Sequence, residues 1–319
     1  MNIVEETING QALPKVLKFD GATTVDDFIT WARTAEDPVN QRLLKSGALW
    51  VKGLDIDSAE KFQYLMQELY PSTKSFLDGN SSRGKYTSTV YNASEYDAES
   101  IIQLHTEFSY SGEWPSVICF CCVVKPDKGG QTTVGDSKKV LEMLSDKLLN
   151  EFREKGITYI RNLHSGKGVG PSWQDAFESG DKNFINNYCS QHDISVTWFD
   201  NGTGRFSQTR PAIRLHPTTH KELWFNQVDQ FYPQIYGTEV YEALLAMSDG
   251  KKENLPMYAT FGDGTEIPME YIQEIIKVLD EVTIPVNWEK GDLLIVDNMA
   301  SLHGRLPYQG NRKILASMA

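Results

Sequence analysis

A short segment of the chain, Leu104-His105-Thr106-Glu107-Phe108, contains two residue types that bind metal ions. If the segment is extended, the side chains of His105 and Glu107 project from the same face, because side chains alternate along a strand. An imidazole and a carboxylate on one face can occupy adjacent positions on a metal ion. A third protein ligand would complete a facial triad, which leaves three positions open for a co-substrate and dioxygen.

The spacing of this pair is weak evidence on its own. With 6 histidines and 43 acidic residues among 319, about one His-x-acid match arises by chance. A second match, His220-Lys221-Glu222, occurs in the polar, turn-like segment 217–222, and we expect it to face solvent. The remaining histidines have no partner at ligand spacing and are assigned to the surface or the core: His164, His192 and His216.

The context of the first match is richer. Thr132 closely follows the Gly129-Gly130 turn, and His303 follows the apolar run 292–297 and a short turn. Arg312 comes nine residues after His303, on the predicted last strand. These residues are distant in the chain, so their spacing alone does not show that they act together. The segments that surround them provide that evidence.

Those segments resemble the taurine dioxygenase / clavaminate synthase-like family of Fe(II)/2-oxoglutarate oxygenases, in particular its SyrP-like and clavaminate synthase-like branch. The matching pieces stand in the family order and cover roughly residues 45–319: HTEFSY, KPDKGGQT, LWFNQ, FGDG and WEKGDLLIVDNMASLHGRLPYQGNRKILAS. Agreement of this many pieces makes the resemblance far more specific than any single motif.

The resemblance implies that His105, Glu107 and His303 bind iron. A glutamate as the second ligand matches the clavaminate synthase branch, whereas other members carry aspartate. Thr132 and Arg312 match the family residues that hold the distal carboxylate of 2-oxoglutarate. The residue chemistry agrees, because a guanidinium forms a bidentate, charge-assisted clamp on a carboxylate and a hydroxyl adds a further hydrogen bond.

The substrate side is less well determined. Arg305 is the alternative to Arg312 for binding the distal carboxylate of 2-oxoglutarate. Its position in a Gly-Arg pair directly after His303 favours instead a role in supporting the turn there. Ala316 stands where several members that oxidise acidic or zwitterionic substrates carry a second arginine, so taurine or arginine is not inherited as the substrate. Arg210 and Asn226 are candidate substrate contacts, with a solvated surface arginine and a backbone-bonding asparagine as the alternatives. Aromatic residues after the metal motif are candidates for the pocket wall and equally for the core: Phe108, Tyr110 and Trp114.

The reaction implied by the resemblance uses Fe(II), 2-oxoglutarate and O2, and releases succinate and CO2 while a C–H bond of the substrate is oxidised. A carboxylate at Glu107 leaves no vacant ligand position for chloride, which favours hydroxylation over halogenation; desaturation and ring closure stay open. The family points to an amino acid, free or carrier-tethered, or an amino-acid-derived metabolite. Two alternatives use the same ligands, a zinc hydrolase and a non-catalytic metal-binding barrel, although the Thr132 and Arg312 pair argues against the second.

Composition excludes several other partners. The net charge of −12 and pI near 5.0, without a basic cluster, disfavour nucleic acid. No apolar run approaches the roughly 18 residues of a membrane span, and the N-terminus lacks a signal peptide pattern.

Three of the four cysteines lie in one apolar run, where buried thiols are expected rather than disulfides: Cys119, Cys121 and Cys122, with Cys189 apart. A reducing, cytoplasmic location is therefore predicted.

The elements that must position these residues are short strands with peripheral helices. Periodicity predicts helices at 24–35 (capped by Thr24), 58–69, 137–155, 174–178, 182–191 and 269–281. It predicts strands at 47–54, 116–124, 157–160, 195–199, 212–215, 292–297 and 312–318. This content is typical of a β-rich α+β protein with a double-stranded β-helix (jelly-roll) core and peripheral helices. No linker divides the chain, so a single domain over residues 1–319 is predicted.

Overall fold

The computed structural model describes residues 3–8, 10–74, 77–79, 84–93 and 96–319, without the side chains of 20–22. The described strands are β1 (Ile3–Ile8), β2 (Gln11–Thr23), β3 (Ala48–Leu54), β4 (Tyr91–Asn92), β5 (Ile102–His105), β6 (Val117–Val124), β7 (Lys128–Gly129), β8 (Thr132–Asp136), β9 (Ile157–Leu163), β10 (Ser195–Trp198), β11 (Gly204–Arg210), β12 (Ile213–Leu215), β13 (Glu222–Trp224), β14 (Met257–Phe261), β15 (Ile284–Val286), β16 (Leu293–Asp297), β17 (Ser301–Arg305), β18 (Tyr308–Gln309) and β19 (Lys313–Met318).

Two of the sheets form the jelly-roll core. The larger has the order β1-β2-β3-β16-β6-β19-β4, in which β2 and β3 run parallel and all other neighbours run antiparallel. The smaller has the order β15-β8-β17-β5 and is antiparallel throughout. Non-consecutive strands are thus neighbours in both sheets, as a double-stranded β-helix requires. The predicted β-rich α+β jelly-roll class is confirmed.

The larger sheet buries both of its faces, and strand β6 shows how. Phe120 belongs to the main core cluster, on the same face as Cys122. Cys119 and Cys121 point the other way and pack in a second cluster with Phe28 and Phe62 of the flanking helices. A strand buried on both faces is a continuous apolar run rather than an alternating one. All four cysteines are free and buried, which confirms the prediction of buried thiols.

The described helices are α1 (Val25–Thr34), α2 (Val39–Ser46), α3 (Ala59–Leu69), α4 (Ser137–Met143), α5 (Asp146–Lys155), α6 (Trp173–Ala176), α7 (Lys182–Gln191), α8 (Thr238–Met247) and α9 (Met269–Val282), with short 3-10 helices at Asp229–Phe231, Pro233–Tyr236 and Lys252–Asn254. The Thr24 cap is confirmed, since its hydroxyl accepts from the Asp27 N–H at 3.1 Å. Among these helices none has the length and apolar character that a bilayer crossing needs.

The single helix predicted at 137–155 is wrong, because the structure has two helices there. The backbone is extended at Leu144 and Ser145, where α4 ends and α5 begins. The Glu274 carboxylate of α9 accepts hydrogen bonds from the Ser145 N–H at 2.6 Å and from its hydroxyl at 3.0 Å. A tertiary contact therefore takes the Ser145 N–H, a donor that a continuous helix would use within itself.

A third sheet, of order β10-β11-β9-β14, is tied to the core by a buried ion pair. Arg161 of β9 donates to the Asp78 carbonyl at 3.0 Å and to its carboxylate, and the two side chains are 1% and 0% exposed. Tyr110 donates its hydroxyl to the same carbonyl at 2.8 Å and lies beneath the guanidinium. Burial raises the pKa of the Asp78 carboxyl, and the charge of Arg161 opposes this shift.

Removing one member of this pair should be strongly destabilising. We expect Arg161→Met to lower the free energy of unfolding by about 3–5 kcal/mol, because it leaves a buried carboxylate without its cation. The double variant Asp78→Asn/Arg161→Met should lose less, since no unpaired charge remains. Urea unfolding of the three proteins measures both values, and a single-variant loss below about 1 kcal/mol would contradict the assigned role.

Candidate metal centre and its cavity

The two histidines of the predicted triad meet across neighbouring strands. His105 is the last residue of β5, and it stands directly opposite His303 in the β5–β17 register. Their ring centroids are 4.4 Å apart. Gly304 permits this close pairing, because a Cβ there would lie 2.5 Å from the carbonyl oxygen of Ile102. The antiparallel ladder thus brings together two imidazoles that are distant in the chain.

Glu107 completes the group from the turn that follows β5. Its Oε2 lies 3.6 Å from His303 Nε2, and one potential ligand atom from each of the three residues lies within 4.8 Å of the others. All three side chains are buried. The expected extended conformation ends at His105, however, since the backbone turns at Glu107. Phe108 then has a φ of 58°, a conformation uncommon for a bulky residue.

The hydrogen bonds of the histidines fit a metal site. His105 Nδ1 lies 2.9 Å from the Gln103 carbonyl oxygen. Because a carbonyl only accepts, Nδ1 must carry the proton, which makes Nε2 of the neutral ring the atom suited to bind a metal. His303 Nδ1 is buried and has no hydrogen-bond partner within the described part of the chain. Two imidazoles and one carboxylate with open geometry are the donor set of a non-haem Fe(II) centre.

Asn298 holds the turn that carries Glu107. Its Oδ1 accepts from the Glu107 N–H at 2.8 Å, and its Nδ2 donates to the Glu107 carbonyl at 2.8 Å and to the Pro115 carbonyl at 3.0 Å. The adjoining Asp297 accepts from the backbone N–H groups of Met299 and Ala300, in the turn before β17, and contacts His216 Nε2 at 3.0 Å. This buried network ties the loop before β17 to the loop after β5.

Arg312 and Thr132 lie together in the same cavity. Arg312 donates to the Gly130 carbonyl at 3.0 Å, and its Nη2 lies 3.5 Å from Thr132 Oγ1, which also accepts from Trp288 Nε1 at 3.1 Å. Burial and the nearby charge of Arg305 lower the pKa of Arg312 to about 10, and no carboxylate of the described residues opposes this. A partly buried guanidinium without an acidic neighbour among the described residues is a suitable site for an anion.

Arg305, the competing arginine, is used differently. Its guanidinium donates to backbone carbonyls of a single segment, at 3.1 Å for Tyr96 and 2.8 Å for Ser100, and also to Asp97. Residues 96 and 100 line the cavity. Arg305 therefore fastens the segment 96–100 at the side of the site.

These groups surround a cavity of about 390 Å³. Its wall contains all three members of the metal group, Thr132, Arg312 and Tyr110, and also neutral polar residues such as Gln227 and Gln230. The volume lies within the range of roughly 300–1,000 Å³ that small-molecule sites occupy. The candidate metal and anion sites therefore share one chamber.

Other predicted residues lie elsewhere. Asn226 donates to the Ala212 carbonyl at 3.0 Å and accepts from the Val228 N–H at 3.2 Å. Arg210 donates to the His192 carbonyl and, at 3.0 Å, to Gln208 Oε1. Neither residue lines the cavity, and neither do Phe108 and Trp114, which pack in or against hydrophobic clusters.

The sequence reasoning overlooked Gln227, although it stands in the same LWFNQ segment as Asn226, and it overlooked the supporting Asn298 and Trp288. The second His-x-Glu match faces solvent as expected, since His220 and Glu222 are exposed.

The support from Asn298 yields a prediction. We expect Asn298→Ala to weaken anaerobic Fe(II) binding about 10- to 100-fold, because the turn that presents Glu107 loses its anchor. Isothermal titration of the folded proteins measures the affinity. Asn226→Ala is the matched control, since it also removes buried backbone hydrogen bonds but leaves the Glu107 turn intact. Equal Fe(II) affinity in the wild type and Asn298→Ala would contradict the assignment.

Comparison with known proteins agrees with this geometry. The chain is 32% identical over 295 residues to the dapdiamide synthesis protein DdaC of Enterobacter agglomerans, covering 92% of this chain and 87% of that protein. It is 27% identical over 300 residues to a clavaminate synthase-like protein of Arabidopsis thaliana, covering 91% and 87%.

Solved structures share the fold. PvcB from Pseudomonas aeruginosa superimposes with a TM-score of 0.56 at 14% identity, over 99% of this chain and 90% of that one. AAD-2, solved in complex with Mn(II) and N-oxalylglycine, gives 0.54 at 12% identity, over 100% and 97%.

The sequence model of the family described as "Taurine catabolism dioxygenase TauD, TfdA family" matches residues 16–318, nearly the whole chain. The chain belongs to this family and is an Fe(II)- and 2-oxoglutarate-dependent dioxygenase.

Proposed function

We propose that His105, Glu107 and His303 bind Fe(II), that Arg312 and Thr132 bind the distal carboxylate of 2-oxoglutarate, and that the enzyme hydroxylates a C–H bond of an amino acid or amino-acid-derived small molecule. The observation that carries this proposal is the convergence of the three side chains, with ligand atoms within 4.8 Å of one another, in the chamber that contains Arg312. A barrel that only binds a metal ion would not need an arginine in the same chamber to bind a carboxylate.

The residues have separable roles. Bound Fe(II) supplies the activation of dioxygen that oxidises an unreactive C–H bond, with succinate and CO2 as the products of the co-substrate. His105, Glu107 and His303 would hold the Fe(II), and a set of three protein ligands would leave room for small molecules to bind beside them. Arg312 and Thr132 orient the co-substrate through its far carboxylate, because a charge-assisted hydrogen bond in a buried site fixes both position and direction. The burial of His105, Glu107 and His303 limits the entry of bulk water to the metal site.

Hydroxylation is favoured among the outcomes open to such enzymes. The carboxylate of Glu107 fills the ligand position that a halogenating enzyme would give to chloride. Desaturation and ring closure use the same ligands and differ in how the substrate is held. Product masses distinguish these reactions, since hydroxylation adds one oxygen atom whereas the other two remove two hydrogen atoms.

The substrate class is supported by the relatives. The similarity to a protein named for dapdiamide synthesis supports a role in small-molecule biosynthesis, and the family resemblance points to an amino acid or a derivative, free or presented by a carrier. The buried, unpaired thiols suit a reducing compartment, and we propose that the enzyme works in the cytoplasm.

The first test is an anaerobic titration of the protein with Fe(II) and 2-oxoglutarate. We expect a weak visible charge-transfer band in the wild type and none in His105→Ala, because that variant lacks one of the three ligands. Metal analysis and oxygen-dependent succinate formation then separate an oxygenase from a zinc hydrolase. Absence of the band in folded, iron-loaded wild type would refute the proposal.

The second test concerns the clamp. We expect Arg312→Gln to raise the 2-oxoglutarate concentration at half-saturation of the same band on the order of 10- to 100-fold, as loss of a partly buried charge-assisted hydrogen bond predicts. Arg153→Gln is the matched control, because that arginine forms an exposed ion pair with Glu222. Equal half-saturation in Arg312→Gln and the control would remove Arg312 from the co-substrate site.

A further inference from the structure

Two glutamines stand side by side in the wall of the metal cavity. Gln227 and Gln230 follow β13, and the Gln230 N–H donates to the Gln227 carbonyl at 3.1 Å, which fixes the turn between them. The Gln227 N–H in turn donates to the hydroxyl of the buried Tyr159 at 3.2 Å. The backbone of this pair is therefore held rigidly by the core.

Their side chains, by contrast, make no hydrogen bond within the described part of the chain. Gln227 is 3% exposed, yet its Oε1 has no hydrogen-bond partner among the described residues. The same residues provide no partner for the amide nitrogen of Gln227 or for the side chain of Gln230. Buried polar atoms in native proteins are almost always paired, so an unpaired one in a cavity wall indicates a place that a bound molecule completes.

A second chamber continues from this point. It has a volume of about 530 Å³ and shares Tyr96, Gln230, Tyr236 and Met257 with the metal cavity. Its remaining wall is largely apolar and includes Val169 of a loop and Leu244 of α8. Gln230 thus lies at the junction of a polar, metal-containing chamber and an apolar outer one.

We propose that the substrate carries a neutral amide group, which Gln227 and Gln230 bind at this junction, and that the rest of the molecule extends into the outer chamber. This inference rests on the proposed function and narrows it to an N-acylated amino acid derivative rather than a free amino acid. A side-chain amide offers N–H donors and a carbonyl acceptor, and another amide is its complement. Among the described residues that line the cavity, the acid is the metal ligand Glu107, so these residues offer a substrate ammonium no separate carboxylate.

The test uses the anaerobic enzyme loaded with Fe(II) and 2-oxoglutarate, whose charge-transfer band shifts when a substrate binds near the metal. The probes are free amino acids and the corresponding N-acetyl and N-octanoyl amino acid amides. We expect at least one amide probe to bind wild type about tenfold or more tightly than its parent amino acid, and the octanoyl form to bind more tightly than the acetyl form.

The variants give opposite results for the two substrate classes. Gln227→Glu should weaken amide binding on the order of tenfold or more, whereas it would strengthen binding of an ammonium by supplying a carboxylate. Gln227→Met keeps the side-chain length, removes donor and acceptor, and should also weaken amide binding. Leu244→Glu should abolish the advantage of the octanoyl probe. Gln67→Glu, on the exposed surface of α3, is the matched control.

Failure of this inference differs from failure of the proposed function. If the wild type forms no charge-transfer band with Fe(II) and 2-oxoglutarate, the proposed function is refuted. Wild type that forms the band but responds to no amide probe, or binds free amino acids equally well, overturns the inference alone. Tighter amino acid binding by Gln227→Glu, with amide binding unchanged, overturns it as well.

Discussion

The antiparallel pairing of β5 with β17 is the constraint on which the site depends. This register sets His105 opposite His303, and β17 simultaneously pairs with β8, where Thr132 stands opposite Arg305. Since side chains alternate with a period of two, a slip of one residue would turn every cavity-facing group of β17 away. The larger sheet supports this arrangement from across the core, where the Phe120 ring lies 5.2 Å from that of His303.

Sequence reasoning found the residues whose chemistry is uncommon. Histidines are scarce in this chain, and the segments around His105, His303 and Arg312 resemble a known family, so these positions were identifiable before the fold was known. Supporting residues carry no such signal. Asn298 bonds to Glu107 across 191 positions of the chain, and only the fold makes them neighbours. The choice of Asn226 over Gln227 shows the same limit, because adjacent residues point in different directions and the sequence alone does not say which enters the cavity.

The elements of the fold likewise divide into those that the sequence predicts and those that it does not. Strands buried on both faces, such as β6 and β16, were predicted from their apolar runs. The hairpin of β1 and β2 was not predicted, because β1 is mostly exposed and lacks the alternation that marks a half-buried strand. The break between α4 and α5 depends on Glu274, which lies 129 positions away from Ser145. Local patterns thus determine the interior elements, whereas edges and interruptions depend on tertiary contacts.

The attachment of the segment 96–100 by Arg305 has a consequence for how such enzymes diversify. Arg305 donates to main-chain carbonyls of that segment, and every residue type has a main-chain carbonyl. Tyr96 and Ser100, which line the cavity, can therefore be exchanged for other residue types without loss of these hydrogen bonds. The enzyme can acquire a new substrate preference at this wall while the wall itself stays in place.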